Sequence, residues 1–143
     1  MENKNNIKEW RAGEIAKIFL LKSNYKLSID DYPTPLFDFF VSLKTDPTVN
    51  FAVEVKNKIR FNNNLNAQLN KLKIYRNLDV INIPVLLFKI DERNEVGEID
   101  FLVIPSFRES KLLIRNEFKF QPLNQNNLTD KIDTIIKWYK RKI

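Results

Sequence analysis

Apolar and polar positions along this chain change period several times, and each change marks an element. From about Ile7 to Leu21 the spacing is helical: at about 100° per residue, Ile7, Trp10, Ile18 and Leu21 form one stripe with Glu14 in its middle. The stripe predicts a helix packed through Trp10 and Leu21, and a glutamate aimed at the interior or into a cleft, the alternative being a carboxylate that reaches the stripe's edge or pairs with a lysine. A short extended segment, Tyr25 to Ile29, ends at Asp30, Asp31 and the prolines Pro33 and Pro35, which block helix and interrupt pairing. Period two follows. Phe37, Phe39, Val41 and Leu43 share one strand face, leaving Leu36, Asp38, Phe40 and Ser42 on the other. Thr45-Asp46-Pro47-Thr48 is turn chemistry, and the next strand alternates Phe51, Val53, Val55 against Ala52, Glu54, Lys56.

The second half reads in the same way. After Asn62-Asn63-Asn64, a helix is expected from about Leu65 to Asn77, with Leu65, Leu69 and Leu72 as its buried stripe and Gln68, Lys71 and Tyr75 along one flank. Val85-Leu86-Leu87-Phe88 is a near-continuous apolar run, the pattern of a central strand covered on both faces. Asp91 to Gly97 reads as a charged turn and Glu98 to Ile104 as the next strand, with Ile99, Phe101 and Val103 on one face and Pro105 as its stop. Residues 106–122 are ambiguous: Lys111 to Arg115 fit strand or a helical turn, and Phe118 and Phe120 look strand-like. Thr129 suits an N-cap before Ile132, Ile135, Ile136 and Tyr139, and Lys137, Lys140, Arg141 and Lys142 gather at the end of that last helix, where basic residues complement the helix dipole or, alternatively, form a phosphate-contacting patch. The order helix, hairpin, helix, strand, strand, helix predicts an α/β sandwich with a mixed sheet, the central strand lying parallel to the hairpin after a crossover helix.

Composition narrows the chemistry. The 143 residues suit one domain with a core of its own. The chain has no cysteine and no histidine, which removes thiolate and histidine metal sites and histidine-dependent triads together. Hydrolytic chemistry would rest on carboxylates, lysine, tyrosine or a hard metal ion. The formal charge of +6 favours a polyanionic partner such as nucleic acid. Met1 to Asn6 is polar, unlike a signal peptide, and no apolar run reaches bilayer-spanning length, so a cytoplasmic location without membrane partners is the expectation.

The hairpin then needs an explanation. Asp38, Glu54 and Lys56 interrupt apolar strands, and buried unpaired charges cost on the order of several kcal/mol. The chain contains four Glu-x-Lys triplets, beginning at Glu2, Glu54, Glu109 and Glu117. Only the one at Glu54 closes an apolar strand, follows a strand bearing an acid and precedes an amphipathic segment. A salt-bridge cluster in which Lys56 neutralises both acids is the structural alternative; Asp100 is a competing acid.

In this arrangement the chain resembles the PD-(D/E)XK nuclease superfamily. Gly13-Glu14-Ile15-Ala16 ahead of Asp38, and Glu54-Val55-Lys56 after it, are similar to small bacterial domains of the resolvase and defence type with a first-helix glutamate. The resemblance covers about residues 7–104 and departs in having Phe37 before Asp38, with Pro35 displaced upstream. It implies a restriction-endonuclease-like α/β/α sandwich, a single nuclease domain over residues 1–143, and Mg²⁺-dependent hydrolysis of phosphodiester bonds in DNA, in defence or repair. Asp38 and Glu54 would hold Mg²⁺, or Mn²⁺ in its place, with the Val55 carbonyl as a further ligand and Glu14 serving a second ion. Lys56 would orient or deprotonate the attacking water, and Gln68 and Tyr75 would brace Lys56 or touch phosphate. Lys58, Arg60, Lys71 and Tyr75 would border the nucleic acid. A homodimer or a partner subunit would supply target recognition. The alternatives are a non-catalytic domain of the same fold that binds nucleic acid or protein, and RNA as the substrate.

Overall fold

The computed structural model describes residues 4–31, 37–57, 83–105, 112–114 and 119–141. Along the chain these form α1 (Lys4–Leu21), β1 (Leu27–Asp31), β2 (Phe39–Leu43), β3 (Asn50–Asn57), β4 (Val85–Asp91), β5 (Val96–Pro105), β6 (Leu112–Ile114), β7 (Gln121–Pro122) and α2 (Gln125–Arg141). The expected helix over residues 65–77, and with it Gln68, Lys71 and Tyr75 as well as Lys58 and Arg60, lies outside the described residues.

The seven strands make one mixed sheet in the order β1-β2-β3-β4-β5-β6, with β7 also on β5. β2 and β3 pair as the anticipated antiparallel hairpin, in the register Phe39↔Val53 and Val41↔Phe51. The polar turn forms because Asp46 Oδ1 accepts both the Thr48 N–H, at 3.2 Å, and its hydroxyl, at 2.6 Å, an Asx-type closure. β4 lies parallel to β3, from Ala52↔Val85 to Asn57↔Ile90. Its apolar run is explained by burial on both faces, since Leu86, Phe88 and Ile90 join the core cluster while Val85 and Leu87 are equally buried outside it.

Both helices pack on the core face of the sheet. α2 contributes Leu128, Ile132 and Ile135, fully buried and worth about 1.5–3 kcal/mol each by area. It starts earlier than Thr129 implied. Asn124 Oδ1 accepts the Asn127 N–H at 2.8 Å and caps the first turn, whereas Thr129 lies inside the helix with its hydroxyl accepting the Asn24 N–H at 3.4 Å. The Tyr139 hydroxyl fastens the other end, 2.6 Å from the Asn50 carbonyl and 2.9 Å from Asn50 Oδ1. Tyr25 donates to Asp133 and ties the segment after α1 to α2.

α1 differs from its sequence reading in which face it buries. Ala12, Ile15, Ala16 and Leu20 meet the sheet, and three residues of the expected stripe are exposed, Trp10, Ile18 and Leu21 at 67%, 51% and 66% of full accessibility. Two apolar arcs share this helix, and the one with smaller side chains allows close approach to the sheet: a Cβ at Gly13 would stand 3.5 Å from the Phe39 ring. Among the described residues no helix is long and apolar enough to cross a membrane.

Candidate functional site

The site forms where β2 leaves β3. Beyond Phe39↔Val53 the ladder stops, and Asp38 completes it in an irregular way. Its N–H donates to the Val53 carbonyl at 3.0 Å, and its Oδ2 accepts the Val55 N–H at 2.7 Å. The carboxylate therefore stands where a strand carbonyl would, aimed by main chain on both sides.

Glu54 projects to the sheet face opposite the helices, beside Leu87 in the parallel ladder, and is 8% exposed. Burial, then the neighbouring Asp38 charge, push its carboxyl up from 4.5 to about 8, against the opposing pull of Lys56. The two carboxyl groups are in hydrogen-bonding contact. Lys56 Nζ lies 3.4 Å from Glu54 Oε1, on the same strand two residues on, as period two requires. Lys56 is opposite Lys89 in the ladder, and the Lys89 ammonium stands 4.7 Å from the centre of the Phe120 ring.

A cleft of about 340 Å³ opens over this point, lined by Trp10, Glu14 and Lys17 from α1 and by Asp31, Asp38 and Lys56 from the sheet and its edge. Glu54 is not on its wall; it is buried in contact with Asp38 and Lys56, which are. The expected first-helix glutamate thus reaches the cleft. Glu14 is engaged there, however, since Lys17 Nζ lies 3.2 Å from Glu14 Oε1 and 2.7 Å from Asp31 Oδ2. The Asp31 hydrogen bond is the main influence raising the Lys17 pKa. Among the described residues no three acids converge on one point, so Glu14 stands on the wall rather than beside the Asp38–Glu54 pair.

Lys17 and Asp31 are cleft residues that sequence reasoning missed. Asp31 looked like the end of a strand, and the available signal was Lys17 at i+3 from Glu14 on the Trp10 side of α1. Asn57 and Glu92 were missed as well: both are buried, and the Asn57 side-chain amide donates to Glu92 Oε2 at 2.6 Å beyond Lys56. Asp100 is a structural acid. It is fully buried, its oxygens accept the Phe101 and Lys119 N–H groups at 2.8 Å each, and Lys131 lies 3.9 Å away. It binds β5 to the segment before β7 and stays out of the cleft.

Oxygen donors of net negative charge suit a hard divalent cation, and a cation between Asp38 and Glu54 would offset both the burial and the Asp38 repulsion that favour a proton on Glu54. Within a strand the N–H and C=O of one residue point to the same side, so the Val55 carbonyl faces the side on which its N–H meets Asp38. The residues present fit such an ion. No family model matches this chain, and no characterised protein matches it at a significant level.

Proposed function

We propose that this protein is a divalent-metal-dependent nuclease that hydrolyses phosphodiester bonds in DNA, on a restriction-endonuclease-like framework. The observation that carries the reading is the contact between the Asp38 and Glu54 carboxyl groups, with Lys56 Nζ 3.4 Å from Glu54 at the edge of an open cleft. Asp38 and Glu54 would hold Mg²⁺ or Mn²⁺, joined by the Val55 carbonyl. Such an ion, when bound, supplies a water of lowered pKa and offsets charge on the scissile phosphate. Lys56 orients the attacking water from the cleft side. Glu14 joins only by exchanging its pairing with Lys17. Lys58, Arg60, Lys71, Gln68 and Tyr75 belong to the same proposal as nucleic-acid contacts, with defence or repair as its setting and a second copy or a partner subunit as the source of target recognition.

A second reading, a non-catalytic nucleic-acid- or protein-binding domain, is favoured by one observation. The contact of Lys56 with Glu54 and the Val55 N–H on Asp38 supply both acids with partners without any metal ion. Incubating plasmid DNA, oligodeoxynucleotides and RNA with the protein in Mg²⁺ or Mn²⁺ separates the two. The nuclease reading expects metal-dependent cleavage of DNA that falls by about 10²–10⁴-fold in Glu54→Ala and Lys56→Ala, the usual scale for losing a group that handles a proton. Equal cleavage by wild type and both variants overturns it. Retained nucleic-acid binding with no cleavage in either metal selects the second reading.

A further inference from the structure

We propose that Trp10 is a stacking platform for an unpaired nucleobase next to the scissile phosphate, so that the substrate strand enters the cleft single-stranded or locally opened. The inference rests on the nuclease reading and deepens it by naming the form of the substrate. Trp10 is 67% exposed, whereas the chain's other tryptophan, Trp138, is 5% exposed and packed in α2. An indole left this open calls for an explanation, because large aromatics are ordinarily well buried. Its position supplies one. Trp10, Glu14 and Lys17 follow one another at i, i+4 and i+7 along the same face of α1, and all three line the cleft that also holds Asp38 and Lys56.

The cleft therefore combines what one nucleotide presents. Lys17 and Lys56 both line it, Lys17 paired with Glu14 and Asp31 and Lys56 with Glu54, so a phosphate gains an ammonium by exchanging with those carboxylates; the acids proposed for the metal lie beside Lys56, and Trp10 lines the α1 wall for a base. At about 340 Å³ the space is near the lower end of the roughly 300–1,000 Å³ of small-ligand sites, suited to a single nucleotide unit rather than a base pair. A base inside a duplex has both faces covered by its neighbours, so stacking on Trp10 requires an unstacked one. The indole offers a π-face, and such stacking tolerates any base. The platform selects strand state, not sequence.

Because Trp138 is buried, quenching of intrinsic fluorescence by a ligand reports on Trp10. The test titrates the full chain, in EDTA to prevent cleavage, with a ten-residue oligodeoxythymidylate and with a blunt duplex of equal length. Expected are quenching and tighter binding of the wild type with the single strand and, read by anisotropy of a labelled oligonucleotide because the variants lack the reporting indole, a loss of about 5- to 150-fold in affinity in Trp10→Leu, the range measured when one stacked base is lost, with binding within about threefold of wild type in Trp10→Phe. Trp10 is on the surface, so both variants should keep the wild-type circular dichroism. Metal- and Glu54-dependent cleavage with neither quenching nor an effect of Trp10→Leu overturns the platform and leaves the nuclease standing. Quenching of the wild type and weaker anisotropy-measured binding by Trp10→Leu, with no cleavage under any metal, supports stacking on Trp10 and overturns the nuclease together with the place beside a scissile phosphate. A fluorescence change that follows protein concentration without oligonucleotide, with smaller particles in Trp10→Leu by light scattering, overturns it in favour of contact between copies.

Discussion

At the scale of single residues, the proton on Glu54 links acidity, stability and metal binding. Its carboxyl titrates near 8 in the fold against 4.5 when free, so between those values the folded chain holds a proton that the unfolded chain has released. Stability from this group is complete below about pH 4.5 and is lost as pH rises through about 8. We expect denaturant midpoints of the metal-free protein to fall over that window and those of Glu54→Gln to stay flatter; equal slopes in the two proteins would refute the assignment. An ion between the acids must displace the proton, so the stabilisation given by Mg²⁺ should grow from pH 6 to pH 8.5 in thermal unfolding. Asp38, Glu54 and Lys56 were legible in the sequence because period two assigns each a face without knowledge of the whole. The Val55 N–H on Asp38 was not, because it exists only where β2 breaks away at a point that no local pattern marks. Lys17 was hidden for a different reason: a lysine on a half-polar helix looks like any other until Asp31 arrives from β1.

At the scale of elements, the β4–β5 hairpin shows what a turn demands. Asp91 Oδ1 accepts the Arg93 and Asn94 N–H groups at 3.1 and 3.4 Å, and Glu95 then takes a φ of 55°, a left-handed conformation that favours glycine. Glu95→Gly should raise stability by about 0.5–1 kcal/mol by removing Cβ strain. Gly97 is the opposite case. A Cβ there would meet Ile90 Cδ1 at 2.7 Å and the Lys89 carbonyl at 2.9 Å, so Gly97→Ala should cost about 1–3 kcal/mol. Urea titration of both variants checks the pair, and a stabilised Gly97→Ala would contradict the packing described. The strands were legible in type and order because their apolar alternation is strong. The buried face of α1 was not. Trp10 and Leu21 outweigh Ala12 and Ala16 in any count of apolar surface, yet the sheet selects for closeness, and small side chains provide it.

At the scale of the whole molecule, a chain of net charge +6 should bind polyanions in a salt-dependent way. The logarithm of the binding constant is expected to fall linearly with the logarithm of salt concentration, by about 0.7 per phosphate neutralised on a single strand. Lys56→Met should shallow that slope by about one contact, measured by anisotropy of a labelled oligonucleotide in EDTA. An unchanged slope would place Lys56 away from the phosphate path. The mixed α/β architecture was readable as a whole because one long apolar run, at β4, had to be central and needed a crossover to reach β3 in parallel.

That shared strand also sets an order of events. β3 meets β2 across one short turn, whereas its parallel partner β4 returns only after a stretch of chain more than twice as long between paired residues. Each doubling of a closed loop adds about 0.6 kcal/mol of entropy cost, so the hairpin closes first and the parallel ladder later. Asp38 and Glu54 come together within that early hairpin. Substitutions in the Asp46–Thr48 turn should accordingly slow refolding, while truncations in β4 such as Leu87→Ala should mainly hasten unfolding. The acid pair is therefore assembled before the interior that will later bury Glu54, at a stage when water still compensates for the repulsion between its two charges.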